Sequence, residues 1–156
     1  MNIGIIIFSR TGNTLCVAEK VRDAFLAQGH TAVIERVRAE NEDPNSKLPV
    51  RLKSVPDPAR FDAVIFGAPV QAFSLSPIMN AFLKQLPKMS GKKVGCFVTQ
   101  HFPKPWMGGK RAAKQMCSLC QSKGADVEKI GIINWTNKLR NGQIDDVASM
   151  LGMIRV

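Results

Sequence analysis

The chain begins with an apolar run, Asn2 to Phe8 (NIGIIIF), that passes directly into a polar stretch, Phe8 to Thr14 (FSRTGNT). An unbroken β-rich run of this kind suits a strand covered on both faces, as in the middle of a parallel sheet. From Asn13 to Gln28 the period changes. Val17, Val21 and Phe25 recur every four residues with Ala18 and Ala24 beside them, and Gly29 stands where a helix cap is expected. Strand, tight loop and helix thus follow in immediate succession.

The same alternation continues to the end of the chain. Residues 30–37 (HTAVIERV) predict a second strand and 61–69 (FDAVIFGAP) a third. Between them, 38–60 carries Pro44, Pro49, Pro56 and Pro58 and is expected as a loop crossing the sheet with at most a short helical turn. Ser76-Pro77 marks a helix start, with the Ser76 hydroxyl as N-cap. Its inward stripe is Ile78, Met79, Phe82, Leu83 and Leu86, and Pro87 ends it. A fourth strand follows at 92–99, where Gly95 points to close packing or a local twist. Then come a helix over about 109–122 that buries Ala112, Ala113, Met116 and Cys120, a fifth strand at 125–135, and a last helix at 143–154 with Ile144, Val147, Ala148 and Leu151 inward. A chain of 156 residues holds one such core and is short for two. The expectation is a single α/β domain over 1–156, an open parallel five-stranded sheet with helices on both faces. In such sheets ligands bind past the carboxyl ends of the strands, where the strand order reverses. That singles out residues 9–14, 68–75 and 99–109.

Hydrophobic residues make up 45 % of the chain and charged residues 22 %, ordinary globular usage, and no apolar run reaches the length of about 20 that spans a bilayer. No membrane insertion is expected. MNIGIIIF carries no basic leader or small-residue cleavage pattern, so the expected location is cytoplasmic. Cys16, Cys96, Cys117 and Cys120 then read as thiols rather than disulfides. The Cys117-x-x-Cys120 pair falls inside a helix, not at its start where a thiolate is stabilised, so a core role is expected over a redox one. His30 and His101 have no cysteine partner at a ligand spacing, and no metal site is expected. The net charge of +10 is the compositional surprise. It attracts acidic proteins, phosphorylated small molecules, anionic membranes and nucleic acid alike. The basic residues are dispersed and no zinc-finger or RNA-binding motif accompanies them, which disfavours nucleic acid.

FSRTGNT lacks the lysine of a nucleoside-triphosphate loop and the three glycines of a dinucleotide fingerprint. A phosphate needs neither. Consecutive backbone N–H groups at a turn entering a helix form an anion nest, and the helix N-terminus adds about half a positive charge. Ser9, Thr11 and Thr14 offer hydroxyls, Asn13 an amide, and Gly12 permits the turn. The competing reading is that these side chains merely cap the first helix.

Strand, S-R-T-G-N-T and amphipathic helix resemble the phosphate loop of the flavodoxin family, whose usual form is Ser or Thr, any residue, Thr, Gly, Asn, Thr. VIFGAPVQAFSLSPIMNAFLKQL (64–86) is similar to that family's third strand, first ring-flanking loop and following helix, and KKVGCFVTQH (92–101) to its fourth strand entering the second ring loop. The resemblance covers nearly the whole chain. It implies strand order 2-1-3-4-5 and flavin mononucleotide (FMN) as cofactor. Ser9, Arg10, Thr11, Gly12, Asn13 and Thr14 would wrap the phosphate. Ala68, Pro69, Val70, Gln71, Ala72 and Phe73 would flank one side of the ring, and Thr99, Gln100, His101, Phe102 and Trp106 the other.

The chain departs from the family in two respects. It has no Tyr and no Trp in 68–75, so Phe73 is the aromatic candidate there, with packing under the loop as its alternative. In the second loop Gln100, His101, Phe102 and Trp106 compete for the other face, with Pro103 and Pro105 as stiffeners, while Trp106 has the alternative of covering the helix that follows. The family's carriers are commonly acidic, whereas Arg10, His101, Lys104, Lys110, Arg111 and Lys114 would make this site positive and favour the charged reduced flavin. Arg10 has the alternative of facing solvent. The implied function is electron transfer between redox partners, here acidic ones. A small FMN-dependent NAD(P)H or quinone oxidoreductase is the alternative, and a flavin-free regulatory or binding domain on the same fold a second one.

Overall fold

The computed structural model describes residues 1–104 and 106–155. In chain order it contains β1 (Asn2–Ile7), α1 (Asn13–Leu26), β2 (Thr31–Arg36), β3 (Arg38–Ala39), β4 (Leu52–Ser54), one 3₁₀ turn (Pro58–Arg60), β5 (Ala63–Gln71), β6 (Ser74–Leu75), α2 (Pro77–Gln85), β7 (Lys93–Gln100), α3 (Gly109–Ser122), β8 (Asp126–Asn134) and α4 (Arg140–Leu151). The five long strands form a parallel sheet in the order β2-β1-β5-β7-β8, the 2-1-3-4-5 arrangement expected. Ile5 of β1 lies between Ile34 of β2 and Ile65 of β5, so the apolar run at the N-terminus is central. The strand order reverses between β1 and β5. The crevice of the sheet therefore opens where β1 and β5 end.

Alternation along β1 divides its side chains between two cores. Ile3, Ile5 and Ile7 pack with Val17, Val21 and Phe25 of α1 and Ile144 and Leu151 of α4. Ile6 and Phe8 face the other way, toward Phe82 and Leu83 of α2 and Ala112 and Met116 of α3. Gly95 is a site of close packing: a Cβ there would come within 3 Å of Ile154, Leu151 and Ile65 side-chain atoms.

Several boundaries and one whole segment differ from expectation. The first helix ends at Leu26, and the last one runs Arg140–Leu151 instead of starting at Gln143. The 38–60 segment is not purely loop, because β3 and β4 pair antiparallel and a 3₁₀ turn follows. Its prolines all fall outside the paired residues, where they remove no ladder donor. Ser76 does occupy the N-cap of α2, but its hydroxyl makes no capping bond; Oγ is buried and without a partner among the described residues. Residues 68–75, expected as an open loop, instead extend β5 to Gln71 and fold back as a hairpin through β6.

Cys96 and Cys120 are buried between β7 and α3, Cys117 is partly buried and Cys16 exposed. The neighbouring Cys120 thiol, followed by burial, holds the Cys96 thiol well above its ordinary value, and desolvation followed by Cys120 raises Cys117. A raised thiol keeps its proton in the folded state after the unfolded chain has lost it. Its stabilisation is full below the unfolded pKa of about 8.5 and declines above it, by at most about 1.4 kcal/mol per pH unit for one group. Urea unfolding should thus show stability falling from pH 8 to 9.5. Cys96→Ala should flatten that slope, and an equally steep slope in the variant would contradict the assignment.

Candidate functional site

The β1–α1 turn is built around backbone donors that have no acceptor among the described residues. Ser9 is buried; its Oγ accepts from the Leu15 N–H at 3.2 Å and its carbonyl accepts from Arg36 Nη2 at 2.9 Å. Gly12 precedes α1 at φ 99°, ψ −8°, and its carbonyl accepts from the Cys16 N–H at 2.9 Å. A side chain rarely adopts that backbone, which is the physical need for glycine here. The N–H groups of residues 10 to 14 find no acceptor among the described residues. They converge on the positive end of α1, whose first turn carries no acidic residue. Ser9 thus serves the helix start, as the capping alternative held, while Thr11 and Asn13 side chains have no partner among the described residues. Thr14, also buried, holds its Oγ1 2.8 Å from Thr99 Oγ1, so one hydroxyl of the pair keeps a proton to donate elsewhere.

A cavity of about 440 Å³ lies against this turn. The first segment lines it with Arg10, Thr11, Asn13 and Thr14, the β5 end with Pro69, Val70, Gln71 and Ala72, and the β7 end with Thr99, Gln100 and His101. Three segments far apart in sequence thus meet at one place, and no carboxylate side chain is among the described residues that line it. Ser9, Gly12 and Ala68 stand outside the lining, Ala68 within the core beneath α2. Arg10 is both exposed and part of the wall. Phe73 and Phe102 are outside the lining too and stack on each other, centroids 5.5 Å apart and planes 1° from parallel. Trp106 is 70 % exposed and does not line the cavity.

The hairpin between β5 and β6 pairs Val70 with Leu75 and Gln71 with Ser74, leaving Ala72 and Phe73 as its two turn residues at φ 50° and 59°. Positive φ at both central positions is the type I′ signature, normally filled by Asn-Gly. Two contacts hold the turn in this costly shape. Gln115 of α3 accepts from Ser74 Oγ and from the Leu75 N–H, each at 2.8 Å. Gly108, at φ 116°, lets the next helix approach so closely that a Cβ would lie 2.8 Å from Phe73 Cα.

The second loop is tied to the end of β8. Gln100 Nε2 donates to Asn134 Oδ1 and to the Lys104 carbonyl, and the Asn134 N–H donates to Gln143 Oε1 of α4 at 2.8 Å. The His101 carbonyl accepts from Thr136 Oγ1 at 2.8 Å, and the Pro103 carbonyl accepts from Asn137 Nδ2 at 3.1 Å. Gln100 Oε1 is buried without a partner among the described residues. Pro105 lies outside the described residues.

Four contributors had no sequence signal of their own. Arg36 braces the Ser9 carbonyl from β2, Pro44 closes one wall from the 38–60 segment, and Gln115 and Asn134 secure the two flanking loops. Each acts across a tertiary contact. Among the described residues no group of three His, Cys, Asp or Glu is placed to hold a metal ion, and no helix is long and apolar enough to cross a membrane.

No protein-family model and no curated protein matches the sequence. Solved structures do match its fold. The chain is similar over 97 % of its length to a flavodoxin from Streptococcus pneumonia TIGR4, covering 97 % of that chain at 16 % identity and a TM-score of 0.68. It is similar over 94 % to two-electron reduced flavodoxin from Megasphaera elsdenii, covering 98 % of that chain at 22 % identity and a TM-score of 0.66. A flavoprotein from Lactobacillus acidophilus, solved in complex with FMN, matches over 94 % of this chain and 98 % of its own at 17 % identity and a TM-score of 0.64. Strand order, flanking helices and these matches together define a protein of the flavodoxin-like α/β fold.

Proposed function

We propose that the protein binds FMN at the crevice between β1, β5 and β7 and carries electrons between redox partners. The observation that supports this reading most is the set of N–H groups of residues 10 to 14 that have no acceptor among the described residues, opening into a cavity whose described lining holds no carboxylate side chain. Such a donor set suits a phosphate monoester, which presents several acceptor oxygens and a negative charge. Thr11, Asn13 and Thr14 would add side-chain donors, and Arg10 a charge at the rim. The Pro69–Ala72 and Thr99–His101 segments would offer backbone and aliphatic surface to a planar ring. Phe73 and Phe102 would border it as a stacked pair. Flavin, when bound, supplies the reversible one- and two-electron chemistry that side chains lack. β8 pairs with β7 from Asp126 to Asn134 with one irregularity at Glu128 and carries no long insertion, which favours a carrier over an oxidoreductase.

The test is a titration of flavin-stripped protein with FMN and with riboflavin, followed by flavin fluorescence. FMN is expected to bind about 100-fold more tightly or better, some 2.7 kcal/mol, because riboflavin leaves the N–H groups of the β1–α1 turn unpaired. Equal affinities would overturn the phosphate role of residues 9–14. No binding of either flavin would overturn the cofactor assignment.

A further inference from the structure

From Ala63 to Ala125 the sequence contains no Asp or Glu, and it contains nine Lys and Arg residues, Lys84, Lys88, Lys92, Lys93, Lys104, Lys110, Arg111, Lys114 and Lys123. Within this block α2 and α3 carry Lys84, Lys110, Arg111 and Lys114 and no carboxylate side chain, and Lys104 stands in the second loop; the same side of the sheet also holds Glu42 and Asp43, which share a pocket wall with Pro77 and Ile78 at the start of α2. The opposite layer carries charges of both signs, Glu19, Lys20, Arg22 and Asp23 on α1 and Arg140, Asp145 and Asp146 on α4. The α2–α3 layer is therefore the more cationic of the two.

Three exposed aromatic side chains stand at the end of the cationic layer nearest the cavity. Phe73 and Phe102 are 57 % and 42 % exposed while stacked on each other, and Trp106 is more exposed still. Phe73 is displayed there at a cost. Its left-handed backbone, and that of Ala72, carries strain that Asn-Gly would largely avoid. A strained turn that exposes an aromatic ring is hard to explain by folding, since neither the strain nor the exposure stabilises the chain. Exposed aromatic residues beside an Arg are instead the composition of the centre of a protein-binding surface, and the lysines around them would form its charged rim. Beside them α2 and α3 leave a groove of about 340 Å³, lined by Asn80, Arg111, Lys114, Gln115, Ser118 and Leu119. Gln115 on its floor is the residue that clamps the hairpin, which joins groove and aromatic tip into one surface.

We infer that this surface docks an acidic redox protein, whose carboxylates meet Lys104, Lys110, Arg111 and Lys114 and whose apolar centre covers the Phe73–Phe102 stack and Trp106. Charge complementarity identifies the partner as acidic. The position of the aromatics, next to Ala72 and His101 of the cavity wall, makes it a redox protein, and to that extent the inference rests on the proposed function. A docked partner would stand beside the cavity, so electrons need not cross the fold.

The probe is an acidic [2Fe–2S] ferredoxin, titrated against the purified protein by calorimetry at about 50 mM and about 300 mM salt, where screening lengths differ by more than twofold. Saturable binding that weakens at least tenfold at the higher salt is expected. Arg111→Glu combined with Lys114→Glu should weaken binding at low salt by tenfold or more while leaving thermal unfolding unchanged. Absence of saturable ferredoxin binding, or undiminished binding by the double variant, would overturn the inference. So would tighter binding to phosphatidylserine vesicles or to duplex DNA in parallel titrations, either of which would reassign the surface. A protein that binds ferredoxin as expected but takes no flavin would retain the acidic-partner surface and refute the cofactor reading. One that takes FMN and ignores ferredoxin would do the reverse.

Discussion

Phe97→Ala is expected to lower the free energy of unfolding by about 3–5 kcal/mol, the range for emptying a buried aromatic site. Phe97 is fully buried in the core shared with α1 and α4, and its ring lies across Gly67 of the adjacent strand: a Cβ at 67 would fall 2.2 Å from Phe97 Cζ. Gly67→Ala alone is therefore an overpacking change, with an expected loss of about 1–3 kcal/mol. The two changes should not add. In the Phe97→Ala background the methyl at 67 enters vacated space, so the double variant should be more stable than the sum of the single losses implies, by roughly 0.5–3 kcal/mol. Urea unfolding of the four proteins checks this, and strict additivity would show that the ring does not cover Gly67. The effect should reach the site as well. Two residues further along the same register, Pro69 pairs with Thr99, and both line the cavity.

Gly12→Val is expected to leave the fold largely intact and to weaken FMN binding at least tenfold, with riboflavin binding unchanged. The open space around the position is not the obstacle, since a Cβ at 12 would meet nothing within 4 Å. The obstacle is φ of 99°, which a β-branched residue adopts at a cost of about 1–2 kcal/mol or escapes by rotating the turn. Rotation would scatter the N–H groups of residues 10 to 14, while the walls at Pro69–Ala72 and Thr99–His101 would remain in place. Thermal unfolding and titration with the two flavins separate the outcomes. A uniform loss for both flavins would mean that the turn shapes the whole cavity and is no dedicated phosphate cradle.

Wherever local periodicity or turn chemistry decides the structure, the sequence was sufficient. The apolar run at the N-terminus specified a strand with both faces covered, and β1 is central with a core on each side. Val17, Val21 and Phe25 specified the buried stripe of α1, and the alternation of strands and helices specified the parallel sheet and the places where its loops converge. The order of residues in SRTGNT was enough to single out the β1–α1 turn, because an anion nest is made by consecutive residues. The acid-free block from 63 to 125 was equally present in the sequence, but only the fold shows that its two helices, α2 and α3, lie in one layer.

Tertiary structure decided the features that depend on residues distant in sequence. The antiparallel β3–β4 pair interrupts a segment that proline content marked as loop, since pairing depends on a partner strand and not on composition. The hydroxyl of Ser76, a capping residue by type, is buried and has no partner among the described residues. Phe73 and Phe102 were legible as aromatic candidates in separate loops, yet their stacking on each other follows from a type I′ turn held by Gln115 and Gly108, neither of which carries a signal for it. Arg36, Pro44 and Asn134 contribute to the site from β2, the 38–60 segment and β8. A residue's conformational preference and its neighbours within about four positions are written in the chain. Which carbonyl a guanidinium braces, or which ring an aromatic covers, is set by packing between elements that meet only when the sheet has formed.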